Sequence, residues 1–182
     1  MKVMDKYFLA VLPPAVYLDQ VEELKRVIHE KFGCKYARKS PAHVTLKMPF
    51  SFSAKREEHL KESLTSYFST HHSFRIGINQ VGTFGRRVIY LKVNAPQAMI
   101  DIQAGLKTYC QRELHLLPEL SDRNYHPHMT VAFKDLKASY FDDLVRFLKL
   151  QKVGFSFDVD RVFLLRKAQG IWEPIHEFAL LE

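Results

Sequence analysis

Two copies of one short pattern hold the residues of this chain best suited to chemistry: His43-Val44-Thr45 and His128-Met129-Thr130. Each falls in a strand-like run, Ala42 to Met48 and His128 to Phe133. In an extended chain the side chains at i and i+2 leave the same face, so each copy presents an imidazole beside a hydroxyl. Two such pairs facing one another would make a symmetric site for a phosphate. The imidazoles supply a base and an acid near neutral pH, and the hydroxyls hydrogen-bond phosphoryl oxygens. The chain has nine His, so a single His-x-Thr would be an accident of composition. Two copies, each closely preceded by a proline (Pro41, Pro127) and followed by apolar residues, are much harder to dismiss.

Counting along each strand nominates neighbours. His43, Thr45 and Lys47 would share one face; His126, His128, Thr130, Ala132 and Lys134 would share another. A lysine on either wall would neutralise a phosphate, and the ordinary alternative for each is a solvated strand end. Phe84 and Tyr125 suit stacking on a nucleobase, worth ~1–3 kcal/mol per base. In a chain with 13% aromatic residues, core packing is the competing explanation for both. Arg86-Arg87 and Arg38-Lys39 would form a basic rim or, one by one, solvated loop charge. His126-Pro127-His128 also has the form of a metal-ligand pair, but a zinc or iron site needs three or four ligands. Spacing indicates no third ligand; Asp122 is near, yet the His-x-Thr symmetry accounts for His128 without a metal. No metal or organic cofactor is expected.

The elements that would position these residues alternate without a linker. Apolar spacing predicts helices over 15–31, 55–67 (with Ser53 as its cap), 99–114 (closed by Pro118) and 139–150, and Gly33 is a natural stop for the first. Strands are expected at 7–12, at the two motifs, at 74–78 and 88–93, and at 153–159, 162–166 and 176–181. The two motifs fall in corresponding places, which suggests a loose internal duplication. Strands joined by hairpins with few helices make an α+β architecture. The chain has 182 residues, enough for one large domain or two intimately joined lobes. Its +7 formal charge suits an anionic partner, and no obligate protein partner is indicated. Cys34 and Cys110 have neither metal nor redox spacing and are expected reduced and packed. The apolar run at 7–12 is short, follows Asp5-Lys6 and is broken by Pro13-Pro14, so it is a first strand rather than a signal peptide. No stretch approaches the roughly 20 apolar residues of a membrane span. A soluble, cytoplasmic protein is expected.

The twin motifs, 85 residues apart, resemble those of the two-histidine (2H) phosphoesterase superfamily, the group of 2′-5′ RNA ligases and 2′,3′-cyclic nucleotide phosphodiesterases. The resemblance covers nearly the whole chain. Tyr7 to Pro14 is similar to that family's opening strand and turn, Val81 to Val93 to its middle hairpin, and Arg161 to Arg166 to its late strand. It implies one 2H phosphoesterase-like domain over 1–182, made of two lobes. Two antiparallel sheets would oppose each other across a central cleft, with helices outside and one motif on the central part of each. It further implies a metal-independent phosphodiesterase that opens 2′,3′-cyclic phosphates of RNA ends or nucleotides, most often to 2′-phosphates. In the family's usual description His43 would be general acid and His128 general base; the reverse assignment predicts the same single-mutant phenotypes. RNA ligation, cleavage of 2′-5′-linked oligonucleotides and a catalytically idle RNA-binding module remain the alternatives. The family often carries an arginine soon after the second motif, where this chain has Ala132-Phe133-Lys134.

Because this chemistry places no ion at the phosphate, hydrolysis of a cyclic nucleotide should persist in excess EDTA. Abolition by chelator and rescue by zinc or manganese would return His126 and His128 as a ligand pair.

Overall fold

The computed structural model describes residues 3–117 and 124–182. Pro118 and Asp122 lie outside the described residues. The described residues form β1 (Met4–Val11), α1 (Ala15–Phe32), β2 (Val44–Ser53), α2 (Glu57–Phe68), β3 (Phe74–Phe84), β4 (Val88–Asn94), α3 (Gln97–Glu113), β5 (His128–Phe133), α4 (Phe141–Leu150), β6 (Gly154–Val159), β7 (Arg161–Ala168) and β8 (Ile171–Ala179). The strands make two four-stranded sheets, ordered β2-β1-β7-β8 and β5-β4-β3-β6, with every neighbouring pair antiparallel. The architecture is therefore α+β, as the element pattern predicts.

Local sequence explains most element ends. α1 begins after Pro13-Pro14 and stops at Gly33, whose φ of 72° lets its N–H bond the His29 carbonyl. Ser53 does not cap α2; a 3-10 turn, Ala54–Arg56, intervenes, and among the described residues no side chain caps the helix. Glu57 and Glu58 in the first turn of α2 instead complement the helix dipole. Cys34 and Cys110 are reduced thiols, both buried. Among the described residues no helix is long and apolar enough to cross a membrane.

The first sheet buries its two faces differently. Tyr7, Leu9, Val11, Val44, Leu46, Val162 and Leu164 belong to a continuous core that also takes in the helices and the second sheet. Phe8, Ala10 and Leu165, with Leu12, Phe163 and Trp172 packed on them, form a separate small cluster on the opposite face. That face carries the first motif, because Thr45 pairs directly with Ala10 and opposed residues in an antiparallel pair point the same way.

Helix placement interlocks the sheets. α1 leaves β1 of the first sheet yet lies against β5, with Tyr17 stacked 4.5 Å from Phe155 of β6 and Phe32 set 5.6 Å from Phe147 of α4. In return α3 leaves β4 of the second sheet and lies against β2 and α2, where the Tyr67 hydroxyl donates to the Ile102 carbonyl at 2.7 Å. Each motif strand follows one of these crossing helices. β2 and β5 are consequently edge strands that approach each other, rather than the central strands expected from the resemblance.

Both motif strands are bulged at the same place. β1 pairs Leu9 with Lys47 and Ala10 with Thr45, so Leu46 is an extra residue; β4 pairs Ile89 with Ala132 and Tyr90 with Thr130, so Val131 is extra. An inserted residue resets the in-out alternation. Leu46 and Lys47 are both buried, as are Val131 and Ala132. Lys47 therefore does not share the face of His43 and Thr45: it pairs with Leu9 on the core side and is 2% exposed. Ala132, opposite the core residue Ile89, likewise leaves the face of Thr130. Lys134 lies beyond the end of β5 with φ at 60°, outside the strand count altogether.

On the second sheet Gly82 lies directly beneath Tyr90. A Cβ at Gly82 would come 2.5 Å from the Tyr90 ring, whereas one at Gly77 would meet only Asn94 at an ordinary 3.6 Å. Gly82→Ala should therefore destabilise by about 1–3 kcal/mol through overpacking. Gly77→Ala should cost less, and Gly82→Ala combined with Tyr90→Ala should cost less than the two separately. Denaturant titration of the four variants checks this; equal costs at Gly82 and Gly77 would refute it.

Candidate active site

The two motif imidazoles are held in the same way. Nδ1–H of His43 donates to the Pro41 carbonyl at 2.7 Å, and Nδ1–H of His128 donates to the His126 carbonyl at 2.7 Å. In each case the acceptor is the carbonyl two residues upstream, so the bend that admits the proline also selects the tautomer. Nε2 is left as the working nitrogen of both rings. Burial pushes His43 down to about 4, against the Pro41 hydrogen bond that favours its charged form; the charges of Lys25 and His128 push the same way as burial. His128 is also lowered, chiefly by burial and further by His126, while its bond to the His126 carbonyl opposes the shift. That the charge of His128 is felt at His43 places the two rings within electrostatic reach.

The loop that delivers His43 is fixed from below by α1. The buried Lys25 ammonium donates to the carbonyls of Ala37 (3.1 Å) and Ser40 (2.8 Å) and ion-pairs with Glu22 at 2.7 Å. Glu22 in turn accepts the Ala42 N–H at 2.7 Å. The ring of His43 rests on Phe8 at 4.9 Å, and Phe8 is backed edge-on by Trp172 at 4.8 Å. Sequence reasoning missed Lys25. Its signal was a lysine within the apolar stripe Val21, Leu24, Ile28 of an amphipathic helix, where a buried charge must find partners.

The second wall is aromatic. Tyr90 and Phe84 lie 5.2 and 4.9 Å from the His128 ring, and the Tyr90 hydroxyl is 3.4 Å from Nε2 of His126. A cavity of about 220 Å³ opens between the strands, lined by Thr45, Leu46, Met48, Phe84, Asn124, Tyr125, His126 and His128. Thr45 of the first sheet and His128 of the second thus border one hollow, and His43, two residues before Thr45, packs against Phe8.

The other expected residues separate clearly. Phe84 is 38% exposed in the lining of the hollow, with its ring 4.4 Å from that of Tyr90. Tyr125 is instead a tie between the sheets: its hydroxyl donates to the Thr45 carbonyl at 2.9 Å, and burial raises its pKa. Arg86 is paired with Asp142 at 2.9 Å and lies over Phe141, Arg38 donates to His29, and Lys39 lies over Tyr36. Lys47 points to the core and Lys134 donates to the Tyr36 hydroxyl. The cation that does face the second motif is Lys92, directly across from His128 on β4 and exposed; its ammonium lies 3.5 Å from Oε1 of Gln80. Lys92 and Tyr90 were missed because cross-strand register is not written in either strand alone. Among the described residues no three His, Cys, Asp or Glu gather as a metal site.

A profile of the 2′-5′ RNA ligase superfamily matches residues 12–171. The chain belongs to that superfamily. Proteins of Bacillus cytotoxicus and Geobacillus kaustophilus, each named "Putative phosphoesterase", are 25% identical to it over 176 residues, covering 94% and 95% of both chains respectively. Escherichia coli LigT in its apo form has the same fold, with a TM-score of 0.69 at 22% identity over 99% of each chain. A Thermus thermophilus protein superposes with a TM-score of 0.69 at 18% identity, covering 96% of this chain and 97% of its own. LigT has also been solved with 3′-AMP, at a TM-score of 0.67 and 22% identity, covering 99% of this chain and 100% of that one.

The depressed histidines make stability pH-dependent. Unfolded imidazoles titrate near 6.5. Between that value and about 4 the unfolded chain binds more protons than the folded one, so stability present above pH 6.5 is lost as the pH falls. NMR titration should find His43 neutral at pH 5, and His43→Gln should flatten the decline in unfolding free energy between pH 6.5 and 4.5. An unchanged slope in that variant would contradict the assignment.

Proposed function

We propose that this member of the superfamily is a phosphodiesterase that opens 2′,3′-cyclic phosphates, on RNA ends or on nucleotides, to 2′-phosphates without a metal ion. One observation carries the reading: two imidazoles, each locked in the same tautomer by the carbonyl two residues upstream, border facing edge strands and stand beside two threonines. In-line displacement at phosphorus needs a base on one side and an acid on the other. In this scheme His128 takes a proton from water as its oxygen bonds phosphorus, the P–O3′ bond breaks, and His43 gives a proton to the departing 3′-oxygen. Thr45 and Thr130 donate to the non-bridging oxygens as charge builds there.

The electrostatics supply a logic for loading the acid. Both histidines are lowered in the free protein, so neither carries a resident charge at neutral pH. An arriving phosphate anion favours an imidazolium. Protonation is then coupled to substrate entry, and the scheme needs no metal ion to bind the phosphate. Lys92, across from His128, takes the part expected of Lys47 and Lys134 as a cation for the phosphate, and Phe84 offers its ring to the base. Support for a nucleotide ligand comes from LigT, solved with 3′-AMP. The superfamily's description also favours a second reading, the reverse reaction, in which the 5′-hydroxyl of another RNA takes the place of water.

His43→Ala and His128→Ala should each reduce kcat by ~10²–10⁴, with binding of a 3′-nucleotide retained. The double variant should be little worse than the poorer single, because groups acting as a unit are strongly non-additive. Phosphorus NMR of the products from 2′,3′-cyclic AMP and a cyclic-phosphate-ended RNA reads both rate and regiochemistry. Full activity in either single variant would remove the two-histidine mechanism and leave an RNA-binding module as the better reading.

A further inference from the structure

A second group of cations gathers outside the histidine hollow, around Tyr36 on the 3-10 turn Tyr36–Lys39. The Lys134 ammonium donates to the Tyr36 hydroxyl at 3.0 Å and lies 4.4 Å from the centre of its ring; Lys39 lies 4.7 Å from the same ring. The charge of Lys167 is also felt at the phenol, and the hydrogen bond from Lys134 is the largest cause of its lowered pKa. All three lysines are exposed, and among the described residues no carboxylate ion-pairs any of them. A solvated face would let such charges spread apart.

This group is held together by design of the backbone. Asp135 N–H donates to the Phe133 carbonyl at 2.7 Å across Lys134, whose φ is 60°, a γ-turn of the rare, strained kind. Strain of this sort persists only where the surroundings over-determine it. The Asp135 carboxylate does so by accepting the N–H groups of Lys35 (2.9 Å) and Tyr36 (3.0 Å) and the Cys34 thiol (3.0 Å). These bonds outweigh burial and hold Asp135 below its ordinary pKa, leaving its charge committed to the turn rather than to the lysines. The Tyr36 ring is fixed edge-on to Phe133 at 5.1 Å. Because its oxygen already accepts from Lys134, the phenol proton is directed to a further acceptor.

The group also connects to the candidate active site. Lys167 continues the face of Phe163 and Leu165 along β7, the face that carries the first motif. It lies 5.8 Å from the Trp172 ring, which packs on Phe8 at 4.8 Å, and Phe8 packs on His43 at 4.9 Å.

We propose that Tyr36, Lys134, Lys39 and Lys167 form a second phosphate subsite, which takes a backbone phosphodiester of an oligoribonucleotide whose 3′ end occupies the histidine hollow. The proposal rests on the phosphodiesterase reading above and adds to it that the preferred substrate is an RNA strand rather than a free cyclic nucleotide. Lysine ammoniums and a phenol donor are suited to the phosphodiester monoanion, which recurs along any strand whatever its bases.

Binding tests this without turnover. Calorimetric Kd values are measured for adenosine 3′-monophosphate and for a tetra-adenylate ending in a 3′-phosphate, over a range of salt. The wild type should bind the tetranucleotide at least about tenfold more tightly, with a steeper salt dependence. Lys134→Ala and Tyr36→Phe should each remove threefold or more of that increment, and removal of each lysine should lower the salt slope by about 0.7. Lys134→Gly should lose as much as Lys134→Ala, although glycine accepts the positive φ without penalty, so a misfolded turn would not account for the loss. Lys149→Ala, on the outer face of α4, should behave as wild type. The subsite is overturned if the tetranucleotide binds no better than the mononucleotide, or if the variants weaken both ligands equally. A wild type that shows the increment but hydrolyses no cyclic phosphate overturns the activity alone, and one that hydrolyses without the increment overturns the subsite alone.

Discussion

The residue inserted just after each motif threonine governs what reaches the cleft. Were β2 and β5 regular, every second residue beyond His43 and His128 would continue into the space between the sheets, and Lys47 would crowd the same hollow as Thr45. The bulges at Leu46 and Val131 end that alternation immediately after each threonine. Each hydroxyl keeps the face of its imidazole, and the next two residues are buried, with Leu46 still reaching the lining of the hollow. Edge strands tolerate the irregularity because only one side of their hydrogen-bonding ladder is engaged, and a bulge also blunts an exposed edge against pairing with another chain.

The two halves repeat this device but differ in what surrounds it. His43 sits on an apolar floor of Phe8 and Trp172, above the buried Lys25 that ties its loop to α1. His128 sits among Phe84, Tyr90 and His126 with Lys92 across the ladder. Matching hydrogen bonds fix the same tautomer in both, while unlike electrostatic settings differentiate them. A pair of identical groups can serve as acid and base only if something breaks their equivalence. Here the asymmetry lies in the neighbours rather than in the motifs.

What could be seen in the sequence follows from what is local. The twin His-x-Thr pairs, the helix stop at Gly33 and the alternating strands depend on residues near one another in the chain, and they were legible. The faces assigned to Lys47 and Lys134 were not, because counting by two assumes a regular strand and a bulge leaves no reliable mark. Lys92, Tyr90 and the Asp135 clamp were hidden for a different reason. Their partners lie tens of residues away or, for Asp135 and Tyr36, 99 residues away, so only the assembled register brings them into view.

The exchange of helices bears on how such a chain can have arisen. α1 is supplied by the first sheet and covers the second, and α3 is supplied by the second and covers the first. The first sheet is also closed by strands from both ends of the chain, β1 and β2 from the start and β7 and β8 from the finish, with all four strands of the second sheet lying between them in the sequence. No half of the chain could therefore build either sheet with its covering helices, and an ancestor of the whole had to carry both ends before either motif had a floor.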